Sequence, residues 1–119
     1  MTIPEHQSTL KLTHYGRRSA APYKVTIWFA VIDGGLWIGS LDSDRNWVRN
    51  LRSGGRGLVD FGNGPEPVAA GFVDNDADRE RYRAAIAAKY PVLSRIVGLF
   101  ARGKQRAVFR LKPADPPAN

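Results

Sequence analysis

The chain has no cysteine, which excludes disulfides, cysteine-ligated metals and thiol catalysis. Its two histidines, His6 and His14, are too few and too near the start to suggest a metal site. Acids are missing where bases are dense. None interrupts the four arginines between Arg45 and Arg56, and none falls among the seven basic residues from Lys89 to Lys112. Long apolar runs are also lacking. The longest is broken by Lys24 and Asp33, short of the roughly 18 to 20 residues that a membrane-spanning helix needs. The opening Met1-Thr2-Ile3-Pro4-Glu5-His6 has no basic patch followed by an apolar segment, so no secretory signal is expected and a cytoplasmic location is. No Walker loop or dinucleotide fingerprint occurs, and Gly62-Asn63-Gly64 lacks the helix that should follow such a loop. Asp33, Asp42, Asp44 and Asp60 fall in turns or at strand ends, without the pairing that acid–base work requires.

What is present fits one domain. The 119 residues, 43% of them hydrophobic, are enough for a single core spanning 1–119. A net charge of +7 favours anionic partners, whether nucleic acid, acidic lipid, or a phosphorylated or polycarboxylate ligand. A solvated basic face accounts for the same number.

Along the chain, residues 1–8 lack periodicity and read as a loose arm. Leu10–Tyr15 alternates as a first strand, and Gly16 to Pro22 forms a turn. Tyr23–Ile32 is apolar on both faces, so a helix, a ligand or a second subunit should cover its outer side; a homodimer is one way to do so. Asp33-Gly34-Gly35 marks a hairpin, because tight primed turns need positive φ. Leu36–Ser40 returns. A short helix over about Asp44–Arg52 follows, with Asp42, Ser43 or Asp44 as its cap and Ser53-Gly54-Gly55 as its stop. Leu58–Phe61 and Val68–Val73 are strands about a Gly62–Pro65 turn. Asn75–Lys89 is the strongest helix, capped by Asn75 and favoured by Asp78 and Glu80 near its positive end. Pro91 opens a second short helix to about Arg102, Gln105–Leu111 is the last strand, and 113–119 is a flexible tail. This order predicts an α+β barrel of five to six mostly antiparallel strands with short inserted helices.

Two segments carry the chemistry. Gly16-Arg17-Arg18-Ser19 offers two guanidinium forks, a hydroxyl and loop amides, which suit phosphate oxygens. It is equally the description of an exposed basic turn. The helix over Asp44–Arg52 presents free amides and a partial positive charge at its start. Within it Asn50 offers an amide, while Trp47 is either a flat wall for a planar ring or a core residue.

Read together, these segments resemble a known family. Leu12-Thr13-x-x-Gly16-Arg17-Arg18-Ser19-Ala20 is similar to the L-T-x-x-G-R-[KR]-S-G element of the deazaflavin-dependent nitroreductases. Trp47-x-x-Asn50-Leu51-Arg52 resembles their W-x-x-N-L-R element. Gly39-Ser40 resembles the small-Ser pair ending their third strand, and Tyr90-Pro91 with the basic helix and last strand resembles their close. The resemblance covers about residues 10–111. Ala20 stands where the family has glycine, and Leu41-Asp42-Ser43-Asp44-Arg45-Asn46 replaces a proline- and glycine-containing stretch.

The resemblance implies a split β-barrel related to the pyridoxamine-phosphate-oxidase-like flavoproteins, binding coenzyme F420. Arg17, Arg18 and Ser19 would hold its phosphate. Trp47, Asn50 and Leu51 would line the pocket near the ring. Charge alone adds Arg49 and Arg52 as partners of the anionic tail. The activity implied is hydride transfer from the reduced deazaflavin to a small-molecule electron acceptor such as a quinone, nitro compound or activated alkene. Ser40, Tyr82 and Tyr90 are the candidate proton donors, both tyrosines being equally explained by packing of their helix on the barrel. The alternatives are FMN in the same fold, and a barrel that binds its cofactor without turnover. From another class comes a basic small barrel with three tryptophans that binds single-stranded nucleic acid. Against that, Trp28 and Trp37 have few basic neighbours in sequence.

Overall fold

Strand pairing begins locally. In the computed structural model, which describes residues 1–92, 95, 96 and 106–115, β1 (Thr9–Tyr15) pairs antiparallel with β2 (Pro22–Ile32). The Asp33-Gly34 turn, with φ of 52° and 75°, folds β2 onto β3 (Gly35–Ser40). Both residues take the left-handed region that the primed hairpin turn demands.

After β3 the chain turns through 40–44. The Ser40 hydroxyl donates to the Asp42 carbonyl and accepts from the Asp42 amide, while the Asp42 carboxylate accepts from the Asp44 amide. These local bonds engage the side chain of Asp42, one of the three residues expected to cap the next helix. Helix α1 (Asn46–Gly54) therefore begins at Arg45, with no side chain capping its first turn. Gly55, left-handed at φ 70°, ends it.

β4 (Arg56–Asp60) and β5 (Glu66–Phe72) form a hairpin. Its turn is held by Asp60 Oδ1, which accepts from the amides of Gly62 and Gly64. Helix α2 (Asp76–Lys89) starts at Asn75, whose side chain accepts from the Asp78 amide at 2.8 Å. The helix expected from Pro91 to Arg102 falls largely outside the described residues. β6 (Ala107–Pro113) inserts between β3 and β5. With β4 pairing back onto β1, the six antiparallel strands close into a barrel in the order β1-β2-β3-β6-β5-β4.

Alternation decides what fills the barrel. Leu10 and Leu12, Ile27 and Phe29, Leu36 and Ile38, and Phe109 and Leu111 point inward from four strands, joined by Val59 and Val68. Helix α1 lays Trp47, Val48 and Leu51 into the same cluster. Burying each large side chain contributes about 1.5–3 kcal/mol.

The outer side of β2 and β3 is covered by α2. Trp37, Val73 and Val108 form a second cluster with Ile32 and Tyr82. Trp28 stacks flat on Tyr90 at 4.3 Å. The second apolar face of β2 is thus met by the chain's own helix. The arm at 1–8 is tied down as well. Ile3 packs on the core, the Gln7 amide donates to the Phe61 carbonyl, and the Tyr90 hydroxyl donates to the Ser8 carbonyl. Among the described residues no helix is long and apolar enough to cross a membrane.

Candidate functional site

The loop joining β1 to β2 closes on itself. The Gly16 amide donates to the Ala21 carbonyl at 2.9 Å, and the Ala20 amide donates to the Gly16 carbonyl at 3.0 Å. Ser19 Oγ accepts from the Ala21 amide. A Cβ on Gly16 would stand 2.7 Å from that hydroxyl oxygen, so a larger residue there would displace the Ser19 side chain from its bond to Ala21. Ala20 sits at φ 58°, a left-handed conformation that costs an L-residue about 1–2 kcal/mol. Glycine adopts it without that cost.

This loop faces the start of α1, and between them lies an open cleft of about 700 Å³. Arg17, Arg18 and Ser19 line it from the loop, Tyr23 and Lys24 from β2, and Arg45, Asn46, Trp47, Arg49 and Asn50 from the helix. Five of its lining side chains are cationic and none is a carboxylate. The uncapped first turn of α1 opens beside them, adding the positive end of the helix dipole.

One chain of side-chain hydrogen bonds ties the loop to the helix. Arg17 donates to Asn50 Oδ1 at 2.8 Å, and Asn50 Nδ2 meets His14 Nδ1 at 2.9 Å. Asn50 and His14 are 7% and 5% exposed. Burial lowers the His14 pKa from the ordinary imidazole value. Its ring stacks on Tyr23 at 5.7 Å.

The sequence-predicted residues divide. Arg17, Arg18, Ser19, Trp47, Arg49 and Asn50 come together at the cleft. Trp47 is both wall and core: it lines the cleft and packs tilted against Phe109 at 6.1 Å. Leu51 does not reach the cleft; it is 1% exposed inside the barrel cluster. Arg52 turns the other way and lies over the Phe72 ring at 4.0 Å. Within one helical turn, Arg49 and Asn50 face the cleft and Leu51 faces the core.

The three expected proton donors lie elsewhere. Ser40 is spent on the Asp42 turn. Tyr82 packs on Gly39, and burial pushes its phenol well above the ordinary value. The Tyr90 hydroxyl donates to the carbonyls of Ser8 and Phe29. None of the three lines the cleft.

Sequence reasoning passed over His14, Lys24 and Arg45. For His14 the signal was available, since Leu10, Leu12 and His14 occupy alternate positions of β1 and share its inward face. Lys24 and Arg45 were hidden because only closure of the barrel brings β2 beside the helix start.

No protein-family model matches the sequence, and no curated protein matches it. Solved structures do. The F420-H2-dependent reductase FDR-A superposes with a TM-score of 0.70 at 17% identity, over 89% of this chain and 95% of that one. The heme storage protein HutZ from Vibrio cholerae gives 0.69 at 15% identity, over 92% and 84%. A protein proposed to be a pyridoxamine 5′-phosphate oxidase from Listeria innocua gives 0.63 at 14% identity, over 93% and 87%. The chain shares the fold of these structures, a closed barrel of six antiparallel strands with helices inserted between them.

Proposed function

We propose that this split barrel is an oxidoreductase whose cleft holds coenzyme F420. The observation that carries the reading is the cleft's donor set, five cations and no carboxylate, of which Arg17, Arg18 and Arg49 lie in the two segments that resemble the deazaflavin-dependent nitroreductases. F420 carries a phosphate and a glutamate tail, so its negative charges match that set. The structural likeness to an F420-H2-dependent reductase supports the choice within the fold.

In this reading Arg17 and Arg18 hold the phosphate, helped by Ser19, whose oxygen accepts within the loop while its proton stays available. Lys24, Arg45 and Arg49 attract the carboxylates of the tail. Trp47 and Tyr23, which both line the cleft, offer aromatic surface to a planar ring. The uncapped amides of α1 meet its polar edge. When bound, the reduced coenzyme supplies two-electron reduction of a quinone, nitro compound or activated alkene. The chain's own part is to bind, orient and neutralise charge. With Ser40, Tyr82 and Tyr90 engaged elsewhere, we assign delivery of a proton to water in the open cleft.

The test is a fluorescence titration with F420, FMN and a single-stranded oligonucleotide in parallel. Saturable binding of F420, followed by oxidation of its reduced form with a simple quinone, is the expected result. Binding of FMN alone would replace the cofactor. A steeply salt-dependent response to the oligonucleotide alone would replace the class. Arg17→Ala with Arg18→Ala is expected to weaken F420 about a hundredfold, the loss of two charge-assisted contacts of about 1.4 kcal/mol each.

A further inference from the structure

The contacts of His14 fix its tautomer. Arg17 has donors only, so the Asn50 atom that faces it at 2.8 Å is Oδ1. The amide nitrogen of Asn50 must then face His14 Nδ1, 2.9 Å away, and an NH2 group only donates. Nδ1 is therefore the acceptor, and the proton of the neutral ring sits on Nε2.

Nε2 has no protein partner among the described residues. No buried side-chain nitrogen or oxygen among them lacks a partner either. Nε2–H thus opens into the cleft whose wall His14 forms. The charged side chains that line this cleft with it are Arg17 and Arg18 from the loop, Lys24 from β2, and Arg45 and Arg49 at the start of α1, all of them positive. A fixed N–H donor among cations is matched by an anionic oxygen, and by neither a cation nor an apolar group.

We propose that His14 Nε2–H is a ligand-binding donor of this cleft, giving a hydrogen bond to a phosphate-type oxygen. Asn50 is the positioning residue that holds the tautomer, and Arg17 holds Asn50. The assignment rests on reading the cleft as a site for a phosphorylated ligand. It extends that site from the basic loop into the inward face of β1.

The experiment is long-range proton–nitrogen NMR of the 15N-labelled protein, with the His14 signals assigned by their loss in His14→Gln. Above the ordinary imidazole pKa, Nε2 is expected in the protonated range and Nδ1 in the unprotonated range; the reverse overturns the proposal. Inorganic phosphate is then titrated in. His14 Nε2 should shift and saturate together with the Arg17 and Arg18 guanidinium signals. A ring unmoved by phosphate overturns the proposal, whether or not the arginines respond.

Two variants give an independent readout. His14→Phe is expected to weaken phosphate about three- to tenfold, while His14→Gln, which keeps an amide donor, stays within about twofold of wild type. A folded His14→Phe protein with wild-type phosphate affinity overturns the assignment. F420 is titrated separately by fluorescence. A phosphate-responsive His14 in a protein that ignores F420 removes that cofactor and leaves the donor standing.

Discussion

The Arg17 guanidinium donates to Asn50 Oδ1 at 2.8 Å, across 33 positions of sequence, and so fastens the basic loop to the helix that faces it. Asn50 also satisfies the buried Nδ1 of His14. Asn50→Ala removes both bonds and leaves a buried acceptor unpaired, a loss of about 1–3 kcal/mol. Urea unfolding is expected to show a lower midpoint of that size, with an unchanged slope.

Tyr82 lies where a side chain on Gly39 would be. A Cβ there would stand 2.6 Å from the tyrosine ring and 3.0 Å from the Ala107 carbonyl oxygen. Gly39→Ala is expected to destabilise by about 1–3 kcal/mol through overpacking. In a Tyr82→Ala background the same change should cost less, since one of its two obstacles is gone; a double-mutant cycle by thermal unfolding measures the difference.

Ala20, at φ 58°, holds the loop in a conformation that favours glycine. Ala20→Gly relieves that strain, partly offset by the greater freedom of the unfolded chain. A gain of up to about 1 kcal/mol in chemical denaturation is expected.

Arg49 and Arg52 read alike in sequence but stand in different places. Arg49 faces the cleft, and Arg52 covers Phe72. Arg49→Ala should weaken an anionic cofactor about tenfold, equivalent to about 1.4 kcal/mol, with little change in melting temperature. Arg52→Ala should leave affinity alone and cost about 0.5–1 kcal/mol of stability through the lost cation–π contact. Paired calorimetry and melting curves separate the two.

Burial lowers the His14 pKa below the ordinary 6.5. The unfolded chain therefore takes up this proton first, and stability rises with pH across the interval between the two values. The contribution is complete above about 6.5 and is lost as the pH falls through that value towards the lowered one. A protonated Nδ1 would also confront the Asn50 amide with a second donor, among the cations Arg17, Lys24 and Arg49. Urea midpoints from pH 7.5 to 5 should fall for wild type and fall less steeply for His14→Gln.

Much of the fold was legible because it is written in local periodicity. Alternation marked β1, β2 and β6, the Asp33-Gly34-Gly35 turn fixed a hairpin, and Asn75 with Asp78 marked the start of α2. The cap of α1 was misplaced because Ser40, Asp42 and Asp44 bond to one another before the helix begins. The site was partly legible. The motifs gathered Arg17, Arg18, Ser19, Trp47 and Asn50, and charge added Arg49, while Leu51 from the motif and Arg52 from the charge are turned away by the helix.

By itself the sequence determined the two basic segments, their lack of acids, and strands whose apolar positions alternate. Those are properties of composition and of periods shorter than one helical turn. Only the tertiary structure decided which side chains share a space. Barrel closure set Lys24 on the same cleft as Arg45, packing on the barrel claimed Tyr82 and Tyr90, and the Arg17–Asn50–His14 chain held a buried imidazole at the wall of the cleft. Such pairings join residues tens of positions apart, and their cost in chain entropy is met by the whole core rather than by either partner.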